Sequence, residues 1–319
     1  MKKLIYFIEF IFVYIFFIFF KLLGYKISSN LGYLIGKLFG PMFRSKRLIV
    51  ENLKKSNISL KQNYTQVASN VLGNYGRVFS EYPFLKNFRN GELNNFIEID
   101  GKNHLENIRK EKKRVVFISG HFNNFELMAM QIEKLGIELS AIYRPLNNIF
   151  LNKIMEKIRT KYICKNQIKK GRAGTRQIIK NIKKGCSIAL MIDQRVREGL
   201  KVKFFGNLAT TTTIPAQLIK KYKCELVPIY IERKEKYYFK MHISKPIKVS
   251  SKKTTEDITL FLNTVLEKMI LKNPEQWIWT HDRWKKKFIL FLNFLFLLKL
   301  LYKNNMVLVL QHSNKLDFL

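Results

Sequence analysis

The chain has 319 residues, and its 58 Lys and Arg against 23 Asp and Glu give a formal net charge of +35 at pH 7. This length accommodates one large α/β domain or two small ones, and so positive a charge favours polyanionic partners: nucleic acid, an anionic membrane or an acidic protein or substrate. The three cysteines, Cys164, Cys186 and Cys224, lack the spacing of a metal motif and fit reduced thiols in a domain that faces the cytosol.

The first predicted element is an apolar helix near the N-terminus. Residues 4–20 are almost wholly apolar and aromatic, broken only by Glu9. At ~1.5 Å per residue they reach about 26 Å, close to the ~30 Å of a bilayer's hydrocarbon core. No small-residue cleavage site follows, so we predict an uncleaved membrane anchor over residues 1–24 rather than a signal peptide. A helix that lies in the membrane interface is the alternative, because the segment is short and carries Glu9.

Residues 25–287 are predicted to form one domain. Residues 27–95 show helical periodicity, and apolar runs alternate with helical segments from about residue 97. Strands are predicted over residues 115–118, 140–143, 187–192, 226–231 and 237–243, the last as an edge strand; helices are predicted over 127–135, 149–159, 177–184, 214–223 and 255–271. The alternation predicts an α/β fold with a mixed central sheet flanked by helices. Residues 288–319 form an apolar C-terminal tail to which the sequence assigns no role.

The strongest candidate for chemistry is His121. Gly120 turns the chain after the strand over residues 115–118, which puts the histidine at the carboxyl end of a strand, where open α/β sheets hold ligands. Asn123 or Asn124 is predicted to cap the next helix, with Glu126 in its first turn. The Glu126 carboxylate would then hold Nδ1–H of His121 and leave Nε2 free to act as a general base.

The spacing alone is weak evidence for this pair. His312 and Asp317 repeat it in a polar stretch within the last residues of that tail, with no preceding strand, and we assign that match to chance. His121 and Glu126 differ from that match because a predicted strand and a glycine precede the histidine and a predicted helix follows it. We therefore predict them to be a catalytic pair.

Four segments in order resemble one enzyme family. Residues 121–126 resemble the H-x4-D/E block of the late acyltransferases of lipid A biosynthesis, the lauroyl/myristoyl transferase family. The resemblance continues in residues 143–148 (Tyr-Arg-Pro-Leu-Asn-Asn), in residues 193–213 with Asp-Gln, Phe-Phe-Gly and the threonine run, and in residues 274–285 (Pro-Glu-Gln-Trp-Ile-Trp-Thr-His-Asp-Arg-Trp-Lys). These blocks cover roughly residues 100–285, whereas the apolar stretch from residue 288 departs from the family pattern.

The resemblance implies a reaction and its partners. An acyl chain would leave the thioester of acyl carrier protein, the co-substrate, and join a hydroxyl of a lipid A precursor, with His121 as general base and Glu126 as its orienting partner. No metal and no cofactor is implied. The implied substrate-binding residues are Asn124, Tyr143, Arg144, Asn148, Arg159, Asp193, Gln194 and Thr211. The implied location is the bacterial inner membrane, with anionic lipid beneath the domain and the domain on the cytoplasmic face, as the basic charge also predicts.

Structural interpretations of the same residues stay open. Asp193 follows a buried strand and would cap the next turn, and residues 210–213 would begin a helix before Pro215. Trp277, Trp279 and Trp284 would be core residues or an interfacial belt.

Two other functions compete with the first. One is an acyltransferase of the same superfamily that acts on a glycerophospholipid or another glycolipid; the absence of an E-G-T-R-type block argues against a glycerophosphate acyltransferase. The other is a basic membrane protein that binds nucleic acid, for which we find no motif.

Overall fold

The computed structural model describes residues 2–285, and helices come first. They are α1 (Lys2–Leu23), α2 (Tyr25–Phe43), α3 (Lys46–Ser56), α4 (Tyr64–Glu81) and the short α5 (Leu85–Asn90). The predicted helical character of residues 27–95 is confirmed. The predicted tail over residues 288–319 lies outside the described residues, as do His312 and Asp317.

A seven-stranded sheet forms the centre of the fold. The nine strands of the described chain are β1 (Ile97–Asp100), β2 (Val115–Ser119), β3 (Leu139–Tyr143), β4 (Asn166–Lys169), β5 (Ser187–Met191), β6 (Leu200–Phe204), β7 (Asn207–Thr211), β8 (Glu225–Arg233) and β9 (Phe239–Ile243). The sheet order is β1-β9-β8-β2-β5-β3-β4, with every neighbouring pair parallel except β8–β9. β6 and β7 form a separate antiparallel hairpin.

Helices alternate with these strands, so the predicted α/β class is confirmed. They are α6 (Lys102–Lys110), α7 (Glu126–Lys134), α8 (Ile149–Ile158), α9 (Arg172–Lys183), α10 (Ile214–Tyr222) and α11 (Thr255–Lys272). All five residues of β2 are buried, which is typical of a central parallel strand covered on both faces. Burial also raises the pKa of each of the three cysteine thiols, so none has the character of a reactive thiolate.

Two sequence interpretations are corrected or decided by the packing. β9 was predicted as an edge strand, but it lies between β1 and β8. The prediction was wrong because alternation of polar and apolar residues shows that one face of a strand is buried and does not show whether a neighbouring strand pairs with it. Trp277, Trp279 and Trp284 are all buried, so they belong to the core and not to an interfacial belt.

The helix α1 has the length and composition of a membrane anchor. Among residues 2–285 it is the one helix long and apolar enough to cross a membrane. It also packs on the domain: Phe20 is 1% exposed, and Asn148 Nδ2 donates to Tyr6 O at 2.8 Å and to Glu9 Oε2 at 2.9 Å. The one acidic residue of the apolar segment is therefore bound to the start of α8.

Candidate active site

His121 and Asp193 meet at the carboxyl ends of two paired parallel strands. β2 ends at Ser119 and β5 ends at Met191, and the parallel register brings the residues that follow to the same edge of the sheet. Asp193 Oδ2 accepts a hydrogen bond from the backbone N–H of His121 at 2.7 Å, and Asp193 Oδ1 lies 2.8 Å from His121 Nδ1. Trp277 Nε1 donates to the same Oδ2 at 2.9 Å. The carboxylate thus fixes both the backbone and the ring of the histidine.

Gly120 allows the two chains to approach this closely. A Cβ atom at this position would lie 2.9 Å from Leu266 Cδ1 and 3.2 Å from Asp193 Oδ2. The side chain of Asp193 is fully buried, whereas that of His121 is 22% exposed. One side of the imidazole therefore rests on the carboxylate while another remains accessible.

The pair shifts the titration of both groups. Burial disfavours the imidazolium, but the Asp193 carboxylate and its hydrogen bond outweigh burial and hold the pKa of His121 above its usual range. For Asp193 burial acts in the opposite direction, and the contacts with His121 and Trp277 hold the pKa of its carboxyl below its usual range. Asp193 is therefore the ionised member that stabilises a proton on His121.

Glu126 is not the residue that holds Nδ1 of His121. Its Oε1 atom accepts hydrogen bonds from Arg159 Nε at 2.8 Å, from Arg159 Nη2 at 2.7 Å and from the Tyr82 hydroxyl at 2.7 Å. The predicted contact between the Glu126 carboxylate and the imidazole is thus replaced by contacts to Arg159 and Tyr82. Glu126 remains near enough for its charge to favour the protonated form of His121 and raise its pKa, as a smaller contribution than that of Asp193.

The local backbone explains this difference. Phe122 forms an isolated antiparallel bridge with Trp277, and Asn123 has a positive φ of 43°. The helix α7 begins only at Glu126, after Phe125 as N-cap without a side-chain cap. The predicted Asn123 or Asn124 cap is therefore absent, and no helical step carries the Glu126 carboxylate back to the Nδ1 of His121.

Arg159 forms a nearly buried ion pair with Glu126. The side chains are 13% and 8% exposed, respectively. Burial opposes the charge on Arg159, but Glu126 outweighs burial and raises the pKa of the guanidinium above its usual range. The guanidinium lies 5.6 Å from the centre of the Tyr143 ring, and the Tyr143 hydroxyl donates to Glu156 Oε1 at 2.6 Å. The predicted residues Tyr143, Arg159 and Glu126 are thus brought together in one network.

Gln276 fastens the loop that follows His121. The backbone N–H of Asn123 donates to Gln276 O at 3.1 Å, and Asn123 Nδ2 donates to Gln276 Oε1 at 2.7 Å. Gln276 also pairs with the backbone of Arg233, accepting from its N–H and donating to its carbonyl, each at 2.9 Å. One side chain therefore ties the His121 loop to the end of β8.

Asn124 belongs to a second buried network. Its Nδ2 atom donates to Glu81 Oε2 at 3.3 Å, and Glu81 forms a buried ion pair with Arg233 at 2.7 Å. Ser29 donates to the other oxygen of Glu81 at 2.7 Å. Asn124 was predicted to bind substrate, but the contact that the structure gives it is with this structural ion pair.

The remaining predicted residues lie apart from the imidazole contacts. Asn148 caps α8 through hydrogen bonds to the next helical N–H groups and binds α1. Thr211 is fully buried at the end of β7 and accepts from Arg283 Nη2 at 2.6 Å. Arg144 is exposed and Gln194 is half-buried. Their predicted substrate contacts stay predictions.

A narrow, mostly apolar cleft opens beside His121. Its lining residues come from α4, from the His121 loop and from the segment that begins at Pro274: Val71, Asn74, Tyr75, Val78, His121, Asn123, Phe125, Gln276, Trp277 and Ile278. The ring of Phe125 packs edge-on against the imidazole at 4.7 Å between centroids. Such a cleft suits a hydrocarbon chain whose polar end reaches a basic nitrogen.

Sequence reasoning missed several residues of the site. Tyr82, Glu81 and Arg233 gave no signal, because their partners are distant in the chain. His281 lies in the fourth segment of the family resemblance, residues 274–285, but no role was predicted for it. Its Nε2 accepts a hydrogen bond from the backbone N–H of Arg195 at 3.0 Å, and burial lowers the pKa of its imidazole. Within residues 2–285 no group of three His, Cys, Asp or Glu side chains is arranged to hold a metal ion.

The chain is similar to known proteins over most of its length. The family profile described as bacterial lipid A biosynthesis acyltransferase matches residues 1–286. The lipid A biosynthesis palmitoleoyltransferase of Escherichia coli (strain K12) is 24% identical over 280 residues, covering 83% of this chain and 87% of that protein. The lipid A biosynthesis lauroyltransferase of the same organism is 26% identical over 274 residues, with the same coverage of 83% and 87%. A lipid A biosynthesis acyltransferase of Shigella flexneri is 24% identical over 280 residues.

The family profile extends through all four segments that carried the resemblance, including those that form the contacts around His121. Because the family profile spans nearly the whole described chain, the function of the family applies at the level of acyl transfer in lipid A biosynthesis. The chain belongs to the bacterial lipid A biosynthesis acyltransferases and is an enzyme that transfers acyl groups.

Proposed function

We propose that this enzyme moves a fatty acyl chain from the thioester of acyl carrier protein to a hydroxyl group of a lipid A precursor, forming an acyloxyacyl group. The observation that carries the proposal is the His121–Asp193 pair. Its Nδ1···Oδ1 distance is 2.8 Å, and the ring stands at the edge of an apolar cleft. Among residues 2–285 no side chain or backbone group hydrogen-bonds to His121 Nε2, so this nitrogen is available to a substrate hydroxyl.

In the proposed step His121 acts as general base. The acceptor hydroxyl donates its proton to Nε2 while its oxygen forms the new bond to the thioester carbon, and collapse of the adduct breaks the C–S bond. The proton on Nε2 then passes to the departing thiolate, so that charge and atoms balance. Asp193 holds the Nδ1–H tautomer and stabilises the transient imidazolium, as the acid of a catalytic triad does.

Glu126 keeps a place in this proposal as a positioning residue. Its ion pair with Arg159 and its hydrogen bond with Tyr82 join α7, the turn after α8 and the turn after α4 beside the imidazole. The Arg159 cation, held in place by Glu126, is the proposed source of electrostatic stabilisation for the oxyanion that forms on the thioester carbonyl.

The charge of the molecule supports the proposed partners and location. A net charge of +35 attracts an acidic carrier protein, a phosphorylated acceptor and an anionic leaflet. The same basic density supports a catalytic domain on the cytoplasmic face of the bacterial inner membrane. Protease protection in spheroplasts compared with inverted vesicles tests that placement: the domain must be digested in inverted vesicles alone.

The transfer itself is tested with the full chain in membranes, supplied with acyl carrier protein thioester and a lipid A precursor. Mass spectrometry of the product must show one added acyl group with wild-type enzyme. His121→Ala must abolish the product, whereas His104→Ala, a change on α6 outside the cleft, must retain it. Acylation of a glycerophospholipid or another glycolipid in place of the lipid A precursor would overturn the proposed acceptor and leave the proposed base intact.

A further inference from the structure

The helix α2 presents its large apolar side chains to the outside of the protein. They form two neighbouring rows with spacings of four and seven within each row, which places them on one half of the helix surface. We call this set the outer face of α2; it consists of Ile27, Leu34, Leu38, Phe39, Met42 and Phe43. Met42 and Phe43 are each 78% exposed. A helix on the water-exposed surface of a globular protein has the opposite arrangement, with its large apolar residues facing the core.

The side of α2 that packs on the protein is built from small residues. Gly32 and Gly36 lie against Gly76 of α4, and a Cβ atom on Gly32 would lie 2.6 Å from Gly76 O. Helices that approach through glycines spaced by four residues are typical of packing inside membranes, where large side chains face lipid. The interior contact of α2 therefore leaves its outer face without a protein partner within residues 2–285.

The helix α2 directly follows the candidate membrane helix α1, and basic residues lie at the far end of its outer face. Gly24, at a φ of 76°, turns the chain directly from the candidate membrane helix α1 into α2. At the other end, Arg44 and Arg47 are exposed and Lys46 is half-buried. An apolar helix face that ends in arginines and lysines is the pattern of a segment that enters the lipid and contacts phosphate headgroups.

We propose that the outer face of α2 is a second membrane-contact surface, which enters the acyl-chain region of one leaflet of an anionic bilayer. Arg44, Lys46 and Arg47 bind lipid phosphates at its edge. This membrane contact goes beyond the proposed function, because it does not depend on the chemistry at His121. A negative result in the test below would therefore leave the proposed chemistry unaffected.

The surface would bring the cleft close to the lipid. Gly73 and Gly76 lie on the side of α4 that faces α2, whereas Val71, Tyr75 and Val78 line the cleft from the opposite side. One helix therefore separates the lipid-facing helix from the cleft, a spacing of about 8–10 Å between helix axes. An acyl acceptor would then travel a short distance from the leaflet to the imidazole.

The test uses the full chain with an environment-sensitive fluorophore at Phe43→Cys, reconstituted into vesicles of phosphatidylethanolamine and phosphatidylglycerol. All native cysteines are buried, and unsubstituted protein treated with the dye gives the background. Ser251→Cys, at an exposed turn far along the chain, is the matched control. Met42→Cys repeats the measurement at a neighbouring position in case one variant folds poorly, and retained acyl transfer confirms the fold.

We expect nitroxide-labelled lipids to quench the fluorophore at position 43 or 42 by roughly half or more, and iodide in the water to quench it weakly. The fluorophore at position 251 must show the reverse. Iodide quenching at position 43 equal to that at position 251 would overturn the proposal. Protection from both quenchers, with energy transfer between labelled copies, would overturn it in favour of a second copy of the chain.

Discussion

At the scale of single residues, the imidazole of His121 depends on a carboxylate that lies 72 positions away in the chain. Asp193 accepts from both the ring and the backbone of the histidine, so its removal affects the proton affinity and the position of the proposed base together. A neutral amide at position 193 would keep much of the shape and lose the charge. The contributions of charge and shape to catalysis can therefore be separated there.

We predict that Asp193→Asn lowers transfer activity roughly 100- to 10,000-fold, because the imidazolium formed in the reaction loses its counter-charge. A general base works in its neutral form, and Asp193 holds the pKa of His121 above its usual range, so wild-type activity rises with pH through that raised pKa. In the variant the pKa falls, and the rise in activity must move to lower pH. Initial rates of transfer measured across pH for both proteins check this.

An unchanged pH profile in Asp193→Asn would contradict the role assigned to the carboxylate. Gln194→Asn, one residue further along, is the control for disturbance of the segment after β5 and must leave the profile in place.

The Glu126–Arg159 pair carries a different expectation. Glu126→Gln leaves the buried guanidinium without its partner, which costs about 3–5 kcal/mol of stability when a buried ion pair is broken from one side. Replacing both residues, as Glu126→Gln with Arg159→Met, removes the unpaired charge and must recover part of that loss. Thermal unfolding of the full chain in detergent, for the two single variants and the double variant, measures this coupling.

Activity across pH distinguishes this positioning role from direct action on the imidazole. Glu126→Gln must lower the rate while shifting the pH profile less than Asp193→Asn does. A larger shift in Glu126→Gln would restore Glu126 as the principal partner of His121.

At the scale of elements, the site depends on how the segment after α11 holds the loop after β2. The side chain of Gln276 bonds the side-chain amide of Asn123 and the backbone of Arg233, and the bridge between Phe122 and Trp277 extends the same contact. Asn123, held there at a positive φ, does not cap the helix that the sequence predicted, and α7 begins only at Glu126. The last block of the family pattern therefore acts on the first block through the backbone.

We predict that Gln276→Leu lowers kcat with little change in KM, because the loop that carries His121 loses its side-chain contact through Asn123 while the apolar cleft keeps its shape. Each buried group left unpaired also costs about 1–3 kcal/mol of stability. Steady-state kinetics and thermal unfolding check both expectations. Gln217→Leu, on the exposed side of α10, is the control and must change neither quantity appreciably.

The sequence predicted those elements whose pattern is long or strongly apolar. β2, β5 and β8 are buried runs, and α11 has a capping box at Thr254 and Asp257, so each gave a local signal. β1, β4 and the β6–β7 hairpin were missed, because short strands rich in polar residues resemble loops when their partners are unknown. The site shows the same limit: His121 followed from its strand and glycine, but its contact with Asp193 arises from parallel pairing of two strands, which no local spacing records.

At the scale of the whole molecule, α1 is both a candidate anchor and part of the packed structure. Phe20 is buried, and Phe17 stacks on Tyr82, the residue that donates to Glu126. We predict that removal of residues 1–24 destabilises the enzyme even in detergent, where anchoring has no function; burial of Phe20 alone accounts for about 1.5–3 kcal/mol. Thermal unfolding and transfer activity in detergent check this. Full activity and an unchanged unfolding temperature in the truncated chain would limit α1 to anchoring.

The net charge of +35 leads to a prediction about the proposed donor, the thioester of acyl carrier protein. Long-range attraction between a basic enzyme and an acidic carrier protein raises their rate of association, and salt weakens it as the screening length falls from about 10 Å at 0.1 M to about 3 Å at 1 M. We therefore expect kcat/KM for the carrier-protein thioester to fall roughly ten-fold over this range of salt, with kcat nearly constant.

A neutral acyl thioester of pantetheine offers the same reacting group without the acidic protein. Its kcat/KM must stay nearly level over the same salt range, because no protein surface steers it. An equal loss for both donors would place the salt effect on the membrane or the acceptor, since those are shared by the two reactions. The comparison therefore separates recognition of the carrier protein from the attraction that a basic domain has for any anionic surface.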